Sequence, residues 1–259
     1  MIRGAKMLEY SKLIEETEKA ISWIKEFVKK SGANGVVIGN SGGKDSATVI
    51  AMATKALGKE NVLAVAMPCF SIKEDLEDAN LVAQKFGVNT IIADLSSSYT
   101  ELENTITEAC DFLVLKEESK INIKPRMRMT ILYAIAQSLN YLVIGTGNLS
   151  ERMVGYTTKW GDSASDFNPI ANFTAQEVIE IGKYLGVPDK ITNKAPSDGL
   201  SGKSDEEKMG ITYKQISEYI ETGKTDMESM EKIKKMNINS KHKREPVPTY
   251  KVDRTNYLK

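Results

Sequence analysis

The feature that most restricts the fold is a short apolar run, Gly35-Val36-Val37-Ile38-Gly39, that passes without a break into Asn40-Ser41-Gly42-Gly43-Lys44-Asp45-Ser46. A continuous β-branched series with no polar alternation suits a strand covered on both faces, as in parallel sheets. The adjacent glycines let the chain turn sharply and bring its amides outward. The helix expected from Asp45 to Leu57 adds the partial positive charge of its N-terminus. Together they form a cradle for an anion such as phosphate. An ordinary capped turn rarely needs two adjacent glycines flanked by serines.

The rest of the chain repeats this alternation. Leu13, Ile14, Thr17, Ala20, Ile21, Ile24, Phe27 and Val28 recur at helical spacing and predict an amphipathic helix ending near Ser31-Gly32. Strands are expected at Val62–Met67, Thr90–Ala93 and Tyr141–Gly145, and a helix from Lys73 to Phe86 closed by Gly87. A helical stretch runs through Leu102, Ile106 and Phe112, and another is expected to open at Pro125, where a first-turn proline loses no hydrogen bond. Thr174-Ala175-Gln176-Glu177 reads as a capping box for a helix stopped by Gly186 and Pro188, and further capped helices are expected from Ser204, Thr212 and Thr225. Residues 194–210 begin as a Ser/Gly/Pro-rich stretch that reads as a lid, with a helical and tail segment over 211–259. The pattern predicts an α/β fold, a doubly wound parallel sheet with helices on both faces and extra C-terminal helices, organised as one domain over 1–259.

Charge excludes some functions. The chain has 35 basic and 35 acidic side chains, so nothing in its overall charge favours a nucleic-acid backbone as partner. No apolar run approaches the roughly 18 residues of a membrane span, and the N-terminal residues have no signal-peptide pattern. The two cysteines, Cys69 and Cys110, make neither a CxxC pair nor a disulfide framework, so a cytoplasmic protein is expected.

The glycine loop is not a Walker A loop, because Lys44 is followed by Asp45 rather than Ser or Thr. An acid inside a phosphate cradle would repel its ligand unless a divalent cation lay between them, which makes Asp45 a candidate Mg2+ ligand. Ser41-Gly42-Gly43-Lys44-Asp45-Ser46 resembles the SGGxDS loop of the N-type ATP pyrophosphatases, whose fold is adenine nucleotide alpha hydrolase-like and whose members split ATP into AMP and pyrophosphate. Within that superfamily, three segments resemble NAD synthetases: Asn122–Met129, Gly145–Glu151 with Gly155–Asp162, and Lys194–Leu200. His242-Lys243-Arg244 followed by Pro246 adds a terminal signature of the same family.

The resemblance implies an ammonia-dependent ligase that adenylates deamido-NAD and releases NAD and AMP. It implies ATP contacts at Gly39, Asn40, Ser41, Gly42, Gly43, Lys44, Asp45, Ser46, Thr146 and Ser197, and Mg2+ at Asp45 and Glu151, the latter on a connecting loop. Deamido-NAD falls to Arg126, Lys159, Asp166, His242 and Lys243, with Asp45, Lys159 and Asp166 catalytic. It also implies a homodimer with the substrate site at the interface. No room for a glutaminase domain precedes the first strand, so free ammonia is the expected nitrogen donor. Two departures stand out: Ala175 occupies the place of a family lysine, and Met67-Pro68-Cys69 lacks an arginine that some relatives carry. The rival reading, a tRNA-modifying pyrophosphatase, would need an activated cysteine at Cys69, where a buried small residue is the simpler account.

Overall fold

The computed structural model describes residues 8–110, 112, 114–194 and 204–253. In chain order the elements are α1 (Tyr10–Ser31), β1 (Gly35–Gly39), α2 (Lys44–Leu57), β2 (Val62–Ala66), α3 (Lys73–Phe86), β3 (Asn89–Ile92), α4 (Ser96–Glu108), α5 (Glu117–Leu139) and β4 (Tyr141–Val143). They are followed by α6 (Leu149–Val154), α7 (Ala175–Tyr184), α8 (Asp189–Thr192), α9 (Asp205–Met209), α10 (Tyr213–Thr222) and α11 (Met227–Asn239). The four strands are parallel and ordered β3-β2-β1-β4.

The sheet is wound on both sides because successive residues of β1 face opposite ways. Val36 and Ile38 join Ala47, Ile50, Val82, Val178 and Ile181 in one core, with α1, α2, α3 and α7. Val37 joins Leu63, Val65, Val143 and the α5 residues Ile131, Leu132 and Ile135 in the other. From β1 the chain winds outward to β2 and β3, then returns to the opposite side of β1 for β4. The strand order therefore reverses between β1 and β4, the place where open α/β sheets leave a crevice at their C-terminal edge. A third core, with Leu149, Val154, Met209, Ile216, Ile220 and Ile233, packs the C-terminal helices beside that crevice.

Several expectations need correction. The helix expected to open at Pro125 begins at Glu117 and carries the proline inside it. Pro125 forfeits one backbone bond, yet it is buried while Ile123, Met127 and Ile131 pack on the sheet, and tertiary burial overrides local preference. Phe112 lies beyond α4 and is 92 % exposed. The capping boxes at Thr174, Ser204 and Thr212 are present, but α11 is capped by Asp226, one residue after Thr225, because a carboxylate accepts the Ser229 amide at 2.9 Å. Of the lid segment, 204–210 is largely the helix α9, whose Met209 is buried, while 195–203 lies outside the described residues.

Candidate functional site

The cradle at the end of β1 rests on α3. Asn40, 4 % exposed, donates its amide to Ala79 O at 2.8 Å and accepts the Gly42 N–H at 3.3 Å. Gly42 has φ +73°, and a Cβ there would stand 2.5 Å from Asp75 O and 2.9 Å from Ala79 N, so this turn requires glycine. The Ser41 and Ser46 hydroxyls lie 3.1 Å apart, and Ser41 Oγ also accepts the Gly43 N–H at 3.2 Å. Beneath the loop the buried Asp78 binds Lys190 at 2.6 Å and Lys194 at 2.7 Å, and Lys194 also reaches Asp75 at 2.9 Å. Burial opposes the Asp78 charge, but the two ammonium groups outweigh it and hold this carboxyl below its ordinary range. The base of the lid segment is thereby tied to the floor of the cradle.

Asp45, in the first turn of α2, faces the crevice, where Asn148 donates its side-chain amide to Asp45 Oδ1 at 3.2 Å. Asn148 caps α6, accepting the Glu151 amide at 3.1 Å while its own N–H donates to Glu151 Oε2 at 2.9 Å. Glu151 is therefore not on a loop but in the first turn of a short helix, and one buried asparagine joins both acids. Although Glu151 keeps some exposed surface, crowding around its carboxyl and the neighbouring Asp45 push it up to about 8, against the opposing pull of Lys44. Lys44 is 6 % exposed, and its ammonium is taken up by Asp45 Oδ2 at 2.7 Å. Burial works against that charge, and Asp45, Glu151 and Asp205 together raise its pKa nonetheless. Thr146 lies half-buried just past β4, on the same edge of the sheet.

A second group is organised by α5 and the loop after α6. Arg126, exposed, donates from Nε to Lys159 O at 3.3 Å, and Thr158 donates to Asn122 Oδ1 at 2.6 Å. Trp160 holds φ 61° with the Lys159 ammonium 5.4 Å from its ring centroid, a strained backbone of the kind that collects at ligand sites. Lys243 and Arg244 close this loop from the tail. The Lys243 ammonium donates to Gly155 O at 2.8 Å and Thr157 O at 2.6 Å, and Arg244 donates to Arg152 O at 3.0 Å and Asn237 O at 2.6 Å. His242 is exposed in the short turn Lys241–Lys243.

Asp166 belongs to the edge of β4, where its Oδ2 accepts the Val143 N–H at 2.7 Å and its own N–H donates to Val143 O at 2.8 Å. Burial and Asp166 together push the Tyr133 phenol up to about 12. Ala175 is buried and donates its N–H to Ser150 Oγ at 3.1 Å. At the end of β2, where an arginine is missing from the strand, Arg128 of α5 donates to Met67 O at 3.1 Å. Ser197 lies outside the described residues. The sequence reading passed over Asn148, Asp205 and Tyr213; an Asn-x-x-Glu capping box was present for the first, and no local signal marked the others.

Among the described residues no helix is long and apolar enough to cross a membrane. The family model described as NAD synthase matches residues 16–249. The NH(3)-dependent NAD(+) synthetase of Carboxydothermus hydrogenoformans is 44 % identical over 234 residues, covering 89 % of this chain and 94 % of that protein. The one from Thermococcus sibiricus is 47 % identical over 214 residues, 82 % of this chain and 81 % of its own. Among solved structures, the NMN synthetase from Francisella tularensis superposes with a TM-score of 0.87 at 33 % identity, over 93 % of this chain and 99 % of that one. The NH3-dependent NAD synthetase from Campylobacter jejuni does so at 0.76 and 30 %, over 94 % of this chain and 100 % of that one. A glycine cradle at a strand-order reversal, faced by a joined pair of acids, thus sits in a chain that belongs to the NAD synthase family.

Proposed function

We propose that this chain makes NAD from deamido-NAD, ATP and ammonia, and that the observation carrying this reading is the joining of Asp45 and Glu151 by Asn148 at the mouth of the cradle. Two carboxylates are a fitting donor set for Mg2+, which is usually held by one or two acids, substrate phosphate and water. When bound, the ion would neutralise the phosphates of ATP and so assist departure of pyrophosphate. Gly39 through Ser46 hold the phosphates through backbone amides and the two serine hydroxyls, and Thr146 and Ser197 complete the ATP contacts. The nicotinate carboxylate attacks the α-phosphorus and pyrophosphate leaves; ammonia then attacks the acyl carbon and AMP leaves.

Arg126 and Lys159 bind the anionic substrate, and the pairing of Arg126 with the Lys159 carbonyl supports assigning them together. Lys159 stabilises charge at the reacting carboxylate. Asp166, whose carboxylate accepts from the Val143 N–H and from the Tyr133 hydroxyl, is assigned to hold ammonium or take its proton. His242, exposed beside Lys243, is assigned to the substrate, while Lys243, with its ammonium engaged by two carbonyls, acts by shaping the loop after α6. We assign the protein to the cytoplasm as a homodimer with substrate bound at the interface.

The test is to mix purified protein, ATP, magnesium, ammonium chloride and deamido-NAD, and to follow NAD and AMP by chromatography. Equal amounts of both are expected, with none from glutamine in place of ammonium; AMP without NAD sinks the acceptor. A second reading, formation of NMN, is supported by the likeness to the Francisella protein and is decided by running the acid mononucleotide beside deamido-NAD.

The raised Glu151 carboxyl has a pH consequence. Because its folded pKa lies above the unfolded one, the stability it contributes is complete below about 4.5 and is lost as pH rises through about 8. Thermal melts of the metal-free protein should therefore fall over that interval, and Glu151→Gln should flatten the decline. Magnesium, which needs the carboxylate, should raise the melting temperature more at pH 8.5 than at pH 6. A Glu151→Gln protein with an unchanged pH slope would remove the assignment.

A further inference from the structure

Tyr213 opens α10 with its ring beneath the Lys44 ammonium, 5.5 Å from the centroid. It is 7 % exposed, and its hydroxyl is wholly buried without a hydrogen-bond partner among the described residues. Buried hydroxyls are seldom left so, because the lost contact with water is not recovered. Its position is fixed from several sides. The Tyr213 N–H donates to Glu206 Oε1 at 2.8 Å, and α10 packs in the third core with Leu149 and Val154 of α6. Around the phenol stand Glu151, Asp205 and Asp45, and Asp205 in turn accepts the Tyr156 hydroxyl at 3.1 Å. Burial and these three acids all disfavour the phenolate, so the group is a permanent donor.

We propose that Tyr213 is a further binding residue of the phosphate and cation site: its ring holds Lys44 against Asp45, and its hydroxyl donates to a ligand oxygen that enters the Asp45–Glu151 crevice. That oxygen belongs to pyrophosphate or to water carried by the cation. The inference deepens the proposed function and rests on it. It also gives the helices after the lid segment a part in the site, since Glu206 and Asp205 of α9 are the groups that position Tyr213 and Tyr156.

Tyr213→Phe keeps the ring over Lys44 and removes only the hydroxyl. Without ligand its melting temperature should equal or exceed that of the parent, since an unsatisfied buried group has gone. Calorimetric titration should show magnesium pyrophosphate binding weakened about tenfold, the equivalent of one good hydrogen bond. Pyrophosphate alone, with magnesium chelated, separates the two sources. A loss that persists assigns the donor to a phosphate oxygen, and a loss seen only with magnesium assigns it to cation-bound water. Unchanged affinity in both arms, or a melting temperature several degrees lower, overturns the proposal. If the parent itself fails to bind magnesium pyrophosphate, the reading of the loop fails instead. Tyr213→Leu, which also removes the ring, should weaken binding further than Tyr213→Phe, and equal losses would deny the ring its part.

Discussion

Alanine in place of Asp45 is expected to lower NAD formation by about a thousandfold, the scale on which loss of a preorganised charge in a water-poor site is felt. The acid bears on the site in three ways. It accepts from Asn148, it takes up the buried Lys44 ammonium, and it is proposed to share the cation with Glu151. Removing it leaves Lys44 with Glu151 and the more distant Asp205, and leaves the cation with Glu151 as its one proposed carboxylate, so magnesium affinity should fall with the rate. Steady-state assays over a magnesium titration check this, with circular dichroism confirming the fold. Recovery of parental turnover at high magnesium would mean that Asp45 only gathers the ion, and more than a tenth of the parental rate under ordinary conditions would remove it from the chemistry.

Gly42→Ala should be nearly as damaging, for a purely steric reason. Its left-handed φ costs an L-residue about 1–2 kcal/mol, and the added Cβ would overlap Asp75 O at 2.5 Å. A backbone oxygen in a packed helix cannot step aside as a flexible side chain can. Either the cradle opens or α3 shifts, and ATP binding should weaken by about two orders of magnitude or more as its amides lose their common aim. A drop of several degrees in melting temperature should accompany it. Gly43→Ala is the internal control, since Gly43 has φ −90° and its Cβ would meet only the Ser41 hydroxyl at 3.2 Å. Equal effects on ATP affinity from both substitutions would refute the argument.

How far the chain could be read in advance depended on the range of the forces involved. α3 and the turn after β1 fell where periodicity, a closing glycine and a glycine-serine run put them, because these signals act within a few residues. Pro125 misled for the converse reason: its local penalty is plain, whereas the burial that outweighs it comes from strands distant in sequence. Asn148 shows the limit most clearly. Its bond to Asp45 spans 103 residues, and nothing near either residue announces the other. Glu151 could be named from its motif, but its place in the first turn of α6 needed the overlooked capping box. Tyr213 and Asp205 were invisible because a buried hydroxyl among distant acids has no linear pattern at all. Lys243 was expected to bind substrate from its terminal motif, yet its ammonium serves two backbone carbonyls, which only the folded loop reveals.

The bonds of the tail also set an order in which the protein can become competent as it is synthesised. Asn40 finds Ala79 only 39 residues later, so the cradle can take shape once α3 has left the ribosome. The acid pair must wait for Asn148 and Glu151, and the loop bearing Lys159 must wait longer still, because Arg244 fastens to Arg152 across 92 residues. A nascent chain therefore completes its glycine cradle well before it fastens the loop proposed to seat the second substrate. Chains released short of residue 244 would be expected to hold ATP without using it.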